Sequence, residues 1–323
     1  MSPAPRENAS FAGHDAAVAA LYDAAMSGRL HHAWLIGGGA GIGKATLAYR
    51  FARWLLAGAT TADLSLDPAH PVFRRVAANT HADLLTIDRR LNEKTKKMQT
   101  EIVIDTVHEV GRFLRLTAGE GGWRVVVVDG AEDMNRNAAN ALLKLLEEPP
   151  KRAILLLVSH APGRLLPTIR SRCRSLNLGP LADSQVAALL EDYAPRLSPA
   201  DRGRIARLAE GSVGTALTLA EETGMAIAAL VDEALAGRLP AARAQAIADA
   251  AARAEDGFEI FFALLRGGIA AAARRAARQA SAPNLGARVA VWQDLGKLER
   301  EVWNLNLDKR AAIIVALSQL HGT

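Results

Sequence analysis

The sequence predicts an α/β domain built on a parallel sheet, followed by a small helical domain and an all-α C-terminal domain. Three observations carry that prediction. Several short runs are apolar at every position rather than at alternate ones, which suits strands covered on both faces. Helix-period segments separate these runs, and strand–helix–strand repetition is α/β architecture. After Gly179-Pro180 no further strand run is found, and Ala, Leu and Arg recur at helical spacing.

The short apolar runs that read as strands are Ala33–Ile36, Leu84–Ile87, Ile102–Ile104, Val125–Val128 and Ile154–Val158. Leu47, Ala48, Phe51, Ala52, Leu55 and Leu56 fall on one helical face. So do Ala138, Ala141, Leu142, Leu145 and Leu146 of the segment Asn137–Glu148, which Pro149-Pro150 stops. Beyond Leu181, Gly211, Gly214 and Gly224 punctuate a helical unit of about 40 residues, a usual size for a small module. Longer helices follow, separated at Gly237–Pro240, Gly267-Gly268 and Ser281–Gly286. These breaks set three domains, at residues 1–179, 180–223 and 224–323.

A chain of 323 residues, half of them hydrophobic and 23% charged, suits two or three compact domains and excludes wholesale disorder. The 39 Lys and Arg against 34 Asp and Glu leave a formal charge of +5, and the pI is about 9.6. That balance permits anionic partners without requiring them. The single cysteine, Cys173, excludes a disulfide framework and a Cys-rich zinc site, and it fits the cytoplasm. Met1–Ser10 is polar and carries two prolines, unlike a signal peptide, and no apolar run is long enough to span a bilayer.

The first run leads into Gly37-Gly38-Gly39-Ala40-Gly41-Ile42-Gly43-Lys44-Ala45-Thr46. Gly38, Gly43 and Lys44 match the phosphate-loop pattern of glycine, four residues, glycine and lysine, and the strand-to-helix setting is the one the pattern requires. Glycines, Gly41 among them, let backbone N–H groups wrap a phosphate at a helix N-terminus, and the lysine adds a point charge. Ala45 stands where the pattern places the Ser or Thr hydroxyl that ligates Mg²⁺. Thr46 comes one residue late, about 100° further round the helix, and is a poor substitute. Asp129 closes the Val125–Val128 run, where a nucleotide site places the acid that holds a metal-bound water; a turn or helix cap is its plainer role. Gly130 follows it, and the next acids are Glu132 and Asp133.

The stretch Asn140-Ala141-Leu142-Leu143-Lys144-Leu145-Leu146-Glu147-Glu148-Pro149-Pro150 resembles a fingerprint of the AAA+ clamp loaders. Ser171-Arg172-Cys173, closing Leu165–Cys173, resembles their Ser-Arg-Cys motif, and Asn304–Arg310 is similar to the family's C-terminal helix. With the loop before Lys44, these motifs resemble the delta-prime branch of the bacterial DNA polymerase III clamp-loader family over essentially the whole chain, most strongly from Leu30 to Arg174. The resemblance implies an AAA+ domain at 1–179, a lid at 180–223 and an oligomerisation collar at 224–323. It implies a holoenzyme member that hydrolyses no ATP itself, in a hetero-pentameric ring with motor subunits and delta, loading the sliding clamp onto primed DNA in replication.

Under that resemblance Arg172 is an arginine finger reaching the ATP of a neighbouring motor subunit, a task suited to a permanently charged, forked guanidinium. Ser159 takes the sensor 1 position. Gly214, within Gly211–Leu217, takes the sensor 2 position where motor subunits carry arginine. Active members follow the strand-end Asp with a Glu, so Ala45, Gly130 and Gly214 each remove a different catalytic part. Gly38, Gly41, Gly43, Lys44, Thr46 and Asp129 then form a degenerate nucleotide site that requires no cofactor. Its cradle keeps the means of weak ATP or phosphate binding, with Mg²⁺ binding impaired. Many relatives carry a four-cysteine zinc module ahead of the Asp129 strand. Residues 57–100 hold no cysteine, and His70 and His81 are a weak set on their own, so no zinc is expected. The alternative is an active AAA+ motor ATPase, against which the three changed positions argue. A stand-alone DNA-binding protein lacks a recognisable readout motif.

The other clusters have plainer readings. Residues 151–180 carry six cations, Lys151, Arg152, Arg164, Arg170, Arg172 and Arg174, and no acid. A solvated basic face is the default for such a run, and only the Ser-Arg-Cys setting singles out Arg172. Arg89, Arg90, Lys94, Lys96 and Lys97 form a second cluster without interleaved aromatics, read as a charged loop ahead of a DNA contact. His31-His32 reads as structural or as a neighbour of the nucleotide base. Glu147 and Glu148 point apart on a helix and form no acid–base pair. Cys173 reads as a small buried residue. The apolar residues of Phe258–Leu265 wrap too much of their helix for a membrane-surface face, and read as core or subunit packing.

Overall fold

A computed structural model describes residues 3–90, 99–120, 122–277 and 285–320. The chain divides into two compact units, Met1–Gln185 with Ser212–Gly214, and Val186–Gly211 with Thr215–Thr323. The expected border at 179 compares with the end of the first run at Gln185, and the expected division at 223 falls inside the second unit.

In the first unit helices and strands follow one another as α1 (Asp15–Met26), β1 (Ala33–Gly37), α2 (Lys44–Leu56), α3 (Pro71–Ala77), β2 (Leu84–Ile87), α4 (Ile104–Arg115), β3 (Arg124–Asp129), α5 (Arg136–Glu147), β4 (Ala153–Ser159), α6 (Pro167–Arg170) and β5 (Arg174–Asn177). The strands form one parallel sheet in the order β2-β3-β4-β1-β5. Its register explains the uninterrupted apolar runs. Trp34, Ile36, Val125, Val127, Ile154, Leu156 and Val158 enter a core shared with α1, α2 and α3. Their neighbours Ala33, Leu35, Val126, Val128, Leu155 and Leu157 enter a second core with α4, α5 and α6. Successive strand residues face opposite sides, so a sheet covered on both sides needs an apolar residue at every position.

Two features of this unit depart from the sequence reading. Ile102–Ile104 forms no strand: Ile104 is the first residue of α4, and Ile102 makes only an isolated bridge to Met134. The apolarity of Ile102 serves the second core instead. Conversely, β5 carries almost no apolar signal, because it is an edge strand paired only with β1 and leaves most of its residues exposed.

The remaining elements are helical among the described residues: α7 (Asp183–Tyr193), α8 (Pro199–Leu208), α9 (Val213–Leu219), α10 (Glu222–Ala236), α11 (Ala241–Arg253), α12 (Gly257–Ala277), α13 (Leu285–Leu305) and α14 (Lys309–Leu320). Phe258, Phe261, Phe262 and Leu265 of α12 are buried and form core, with the Phe258 and Phe262 rings 4.6 Å apart. The segment Asn304–Arg310 spans a break rather than one helix. Asn306 turns left-handed, and Asp308 accepts from the Ala311 N–H at 2.6 Å to start α14. Among the described residues no helix is long and apolar enough to cross a membrane.

Candidate functional site

Strand β1 delivers Gly37, and the following loop enters α2 at Lys44. Gly38, Gly41 and Gly43 all take positive φ. At Gly41 both conformation and space demand glycine: a Cβ there would lie 2.4 Å from Ser212 Oγ and 3.0 Å from Gly214 Cα. Among the described residues, no backbone carbonyl accepts from the N–H groups of Gly39, Gly41 or Gly43. These are the donors an anion at a helix N-terminus uses, so the cradle fits a phosphate group. Lys44 is buried, and its ammonium donates to the Gly39 carbonyl of the same loop. Burial lowers its pKa, against the pull of the Glu132 and Asp129 carboxylates. Ala45 and Thr46 follow in the first turn of α2, and Ala45 offers a metal no oxygen from its side chain.

Asp129 ends β3, and burial raises its carboxyl above the ordinary range. His160 and Lys44 oppose that rise, while Asp88 and Glu132 add to it. Gly130, at φ 73, turns the chain into a short 3-10 turn, Ala131–Asp133. Glu132 then reaches across to the end of β4. Its Oε1 accepts from the N–H groups of His160 at 2.7 Å and Ala161 at 3.2 Å. Burial pushes the Glu132 carboxyl up, but hydrogen bonds from its own N–H, the Ser159 hydroxyl and His160 outweigh burial and hold it low. Ser159 is itself fully buried, opposite Gly37 in the sheet, and its Oγ accepts from Ala161 N–H at 3.2 Å. Asp133 is engaged by Arg89 at 3.2 Å.

The segment that holds Ser212 and Gly214 lies against the loop. Ser212 Oγ donates to the Ala40 carbonyl at 3.0 Å, and Gly214 N–H donates to the Gly41 carbonyl at 2.9 Å. A Cβ on Gly214 would meet Gly41 Cα at 2.9 Å, so no larger residue fits without displacing the loop. On another side, His14 Nε2 donates to the Ile42 carbonyl at 2.9 Å. Arg53 fixes the segment leading to His14, donating to the carbonyls of Arg6 at 2.7 Å and Asn8 at 2.8 Å.

Arg172 lies in the turn between α6 and β5. Leu165, Ile169 and Cys173, buried in the second core, anchor that segment. Burial pushes the Cys173 thiol up to about 12. The Arg172 side chain stays 37% exposed, its Nη1 donating to the Thr168 carbonyl at 3.1 Å and its Nη2 2.8 Å from Glu147 Oε1. A guanidinium has five N–H donors. With one given to Thr168 and one to Glu147, three remain.

Other candidates have local roles. His32 Nε2 donates to the Leu146 carbonyl at 3.0 Å, and His31 stacks on His32 with ring centroids 4.4 Å apart. Arg174 lies over the Trp34 ring at 4.9 Å. Arg90 clasps Glu109 through two bonds, at 2.8 and 2.6 Å. Lys94, Lys96 and Lys97 lie outside the described residues. His70 caps α3 by accepting from Val72 N–H, and His81 accepts from Asp83 N–H, each using a ring nitrogen on its own backbone.

A family model described as DNA polymerase III, delta subunit, matches residues 13–182, more than half of the chain. The chain belongs to this family. DNA polymerase III subunit delta' of Pseudomonas aeruginosa is 44% identical over 142 residues, covering 44% of this chain and 41% of the relative. Its counterpart in Escherichia coli K12 is 35% identical over 194 residues, covering 60% and 56%. The matches therefore span less than two thirds of either relative's length. A solved DNA polymerase III gamma subunit-related protein from Thermotoga maritima superposes with a TM-score of 0.44 at 18% identity, over 90% of this chain and 94% of its own.

This DNA polymerase III clamp-loader-related subunit thus carries an α/β domain on a five-stranded parallel sheet, with helices after it. Chemically, its cradle can hold an anion through loop N–H groups, whereas of the acids that follow Asp129, Glu132 is bonded through Oε1, its Oε2 buried without a partner, and Asp133 is paired with Arg89. Spacing alone sets Glu132 aside without showing what it does. The contacts of Ser212 and Gly214 with the loop, and of Glu147 with Arg172, carry no local sequence signal.

Proposed function

We propose that this chain is a non-hydrolysing subunit of the DNA polymerase III clamp loader. It supplies Arg172 in trans as an arginine finger to a neighbouring motor subunit while the sliding clamp is loaded onto primed DNA. The observation that carries the reading is the placement of Glu132: its Oε1 is held by the His160 and Ala161 N–H groups, and its Oε2, which has no partner, is buried from solvent. Ala45 without a hydroxyl and Gly214 packed on Gly41 support the same conclusion. Arg172, by contrast, is partly exposed and keeps donors for a partner's phosphate.

Gly38, Gly41, Gly43, Lys44, Thr46 and Asp129 then form a degenerate nucleotide site, and Ser159 holds the sensor 1 position. The site requires no cofactor, binds ATP or phosphate weakly, and gains little from Mg²⁺. Residues 1–179 act as the AAA+ domain, 180–223 as a lid and 224–323 as the collar of a cytoplasmic hetero-pentamer with motor subunits and delta.

The purified chain alone is expected to turn over no ATP. An arginine finger is worth roughly 10³–10⁵ in kcat, so Arg172→Ala should silence the one site it serves in a reconstituted complex. DNA-stimulated turnover then falls by at least that site's share. Turnover by the isolated chain, or a complex indifferent to Arg172→Ala, overturns the reading.

A further inference from the structure

The arginine that reaches outward is held at both ends of its fork. Nη1 bonds the Thr168 carbonyl at 3.1 Å, and Nη2 lies 2.8 Å from Glu147 Oε1. The two partners come from separate elements, α6 and the last residue of α5, and both are fixed by the same core. Leu142 and Leu146 of α5 pack there with Ile169 and Cys173, the residues that flank Thr168 and Arg172. The Leu146 carbonyl is also bonded by His32, one residue before Glu147. Two fixed acceptors define the plane of a guanidinium, which a single acceptor would leave free to rotate.

We infer that Glu147 is a positioning residue for Arg172, orienting the guanidinium so that its remaining N–H groups face a neighbouring subunit's nucleotide phosphate. The inference rests on the proposed role of Arg172 in trans.

Placement, rather than stability, is what the pair can supply. The side chains are 37% and 49% exposed, and ion pairs so exposed contribute little to stability. Glu147 also closes the C-terminal turn of α5, where the helix dipole disfavours a carboxylate. A long, flexible side chain held in one geometry before its partner arrives loses less freedom on engagement.

The test uses the full complex reconstituted with motor subunits, carrying wild type, Glu147→Ala, Glu147→Gln, Arg172→Ala, or the Glu147→Ala and Arg172→Ala pair. Glu147→Ala should lower kcat at the site Arg172 serves by about 10-fold, within the ~100-fold that a 1 Å misplacement costs. KM for ATP and assembly on size exclusion should stay unchanged. Glu147→Gln, which keeps an acceptor of the same shape, should recover part of the loss. The double variant should be no slower than Arg172→Ala alone.

Four results would overturn the inference. Turnover unchanged in Glu147→Ala while Arg172→Ala is impaired sinks it and leaves the arginine finger standing. Faster turnover in Glu147→Ala means the carboxylate restrains Arg172. Multiplying effects in the double variant mean that Glu147 acts independently of Arg172. An inert Arg172→Ala removes the proposed finger and this inference with it.

Discussion

At the end of β3, Asp129 keeps a carboxylate where burial favours the neutral acid. An acid whose folded pKa exceeds its unfolded one holds its proton more tightly in the folded state. Its contribution to stability is therefore full below the ordinary carboxylate range, and is lost as pH rises through the raised value. Asp129→Asn should accordingly raise the thermal midpoint at pH 7 by roughly 1–3 °C, the scale of a fraction of a kcal/mol. It should also flatten the fall in midpoint between pH 4 and 8. Melting curves across that range check it, and a lower midpoint with an unchanged slope would contradict the assignment. A strand-end acid is visible in the sequence, since it closes the Val125–Val128 run. The binding of Glu132 to His160 and Ala161 is not, because it joins residues 28 and 29 positions apart.

Helix α5 shows how capping and burial divide the work of an element. Asn135 Oδ1 accepts from Ala138 N–H at 3.0 Å at its start, and Ala138, Leu142 and Leu146 are buried along one face. Removing the cap by Asn135→Ala should cost about 1 kcal/mol. Leu142→Ala, at a fully buried position, should cost roughly 2–5 kcal/mol through lost transfer energy and a residual cavity. Urea denaturation of the two variants should place Leu142→Ala lower, and the reverse order would argue that packing does not hold α5. The helix was legible because its apolar residues recur at helical spacing. For β5 that signal fails: an edge strand leaves most of its residues exposed, so Arg174-Ser175-Leu176-Asn177 has little apolar pattern to show. At Ile102–Ile104 a short apolar run serves the core from a helix start, which periodicity over three residues cannot separate from a strand.

On the scale of the whole chain, two compact units each bury their own apolar core. Independent cores do not unfold as one cooperative step unless they are strongly coupled. Scanning calorimetry of the intact chain should therefore show more than one transition. A single transition with equal calorimetric and van't Hoff enthalpies would mean that the units unfold together. The net charge of +5 adds little to this picture. Arg89 and Arg90 are each paired with an acid, and Arg172 is the cation whose remaining donors matter to the proposed function.

By itself the sequence determined the α/β class, the change to helices after Pro180, the glycine-rich strand-to-helix loop before Lys44, and the residue types at Ala45, Gly130 and Gly214 on which the proposed non-hydrolysing role rests. Each is a property of neighbouring residues: a period of two or 3.6, a fixed spacing, a residue type beside a motif. Only the tertiary structure decided that the Lys44 ammonium folds onto Gly39, that Glu132 bonds the end of β4, and that Glu147 meets Arg172. It also decided that Ser212, 172 positions from Ala40, bonds its carbonyl. Apart from the Lys44 contact, these meetings join distant stretches of chain, and what brings them together is how strands order in the sheet and helices pack on its two faces. Lys44 and Gly39 are near in sequence, but only the three-dimensional path of the loop aims one at the other.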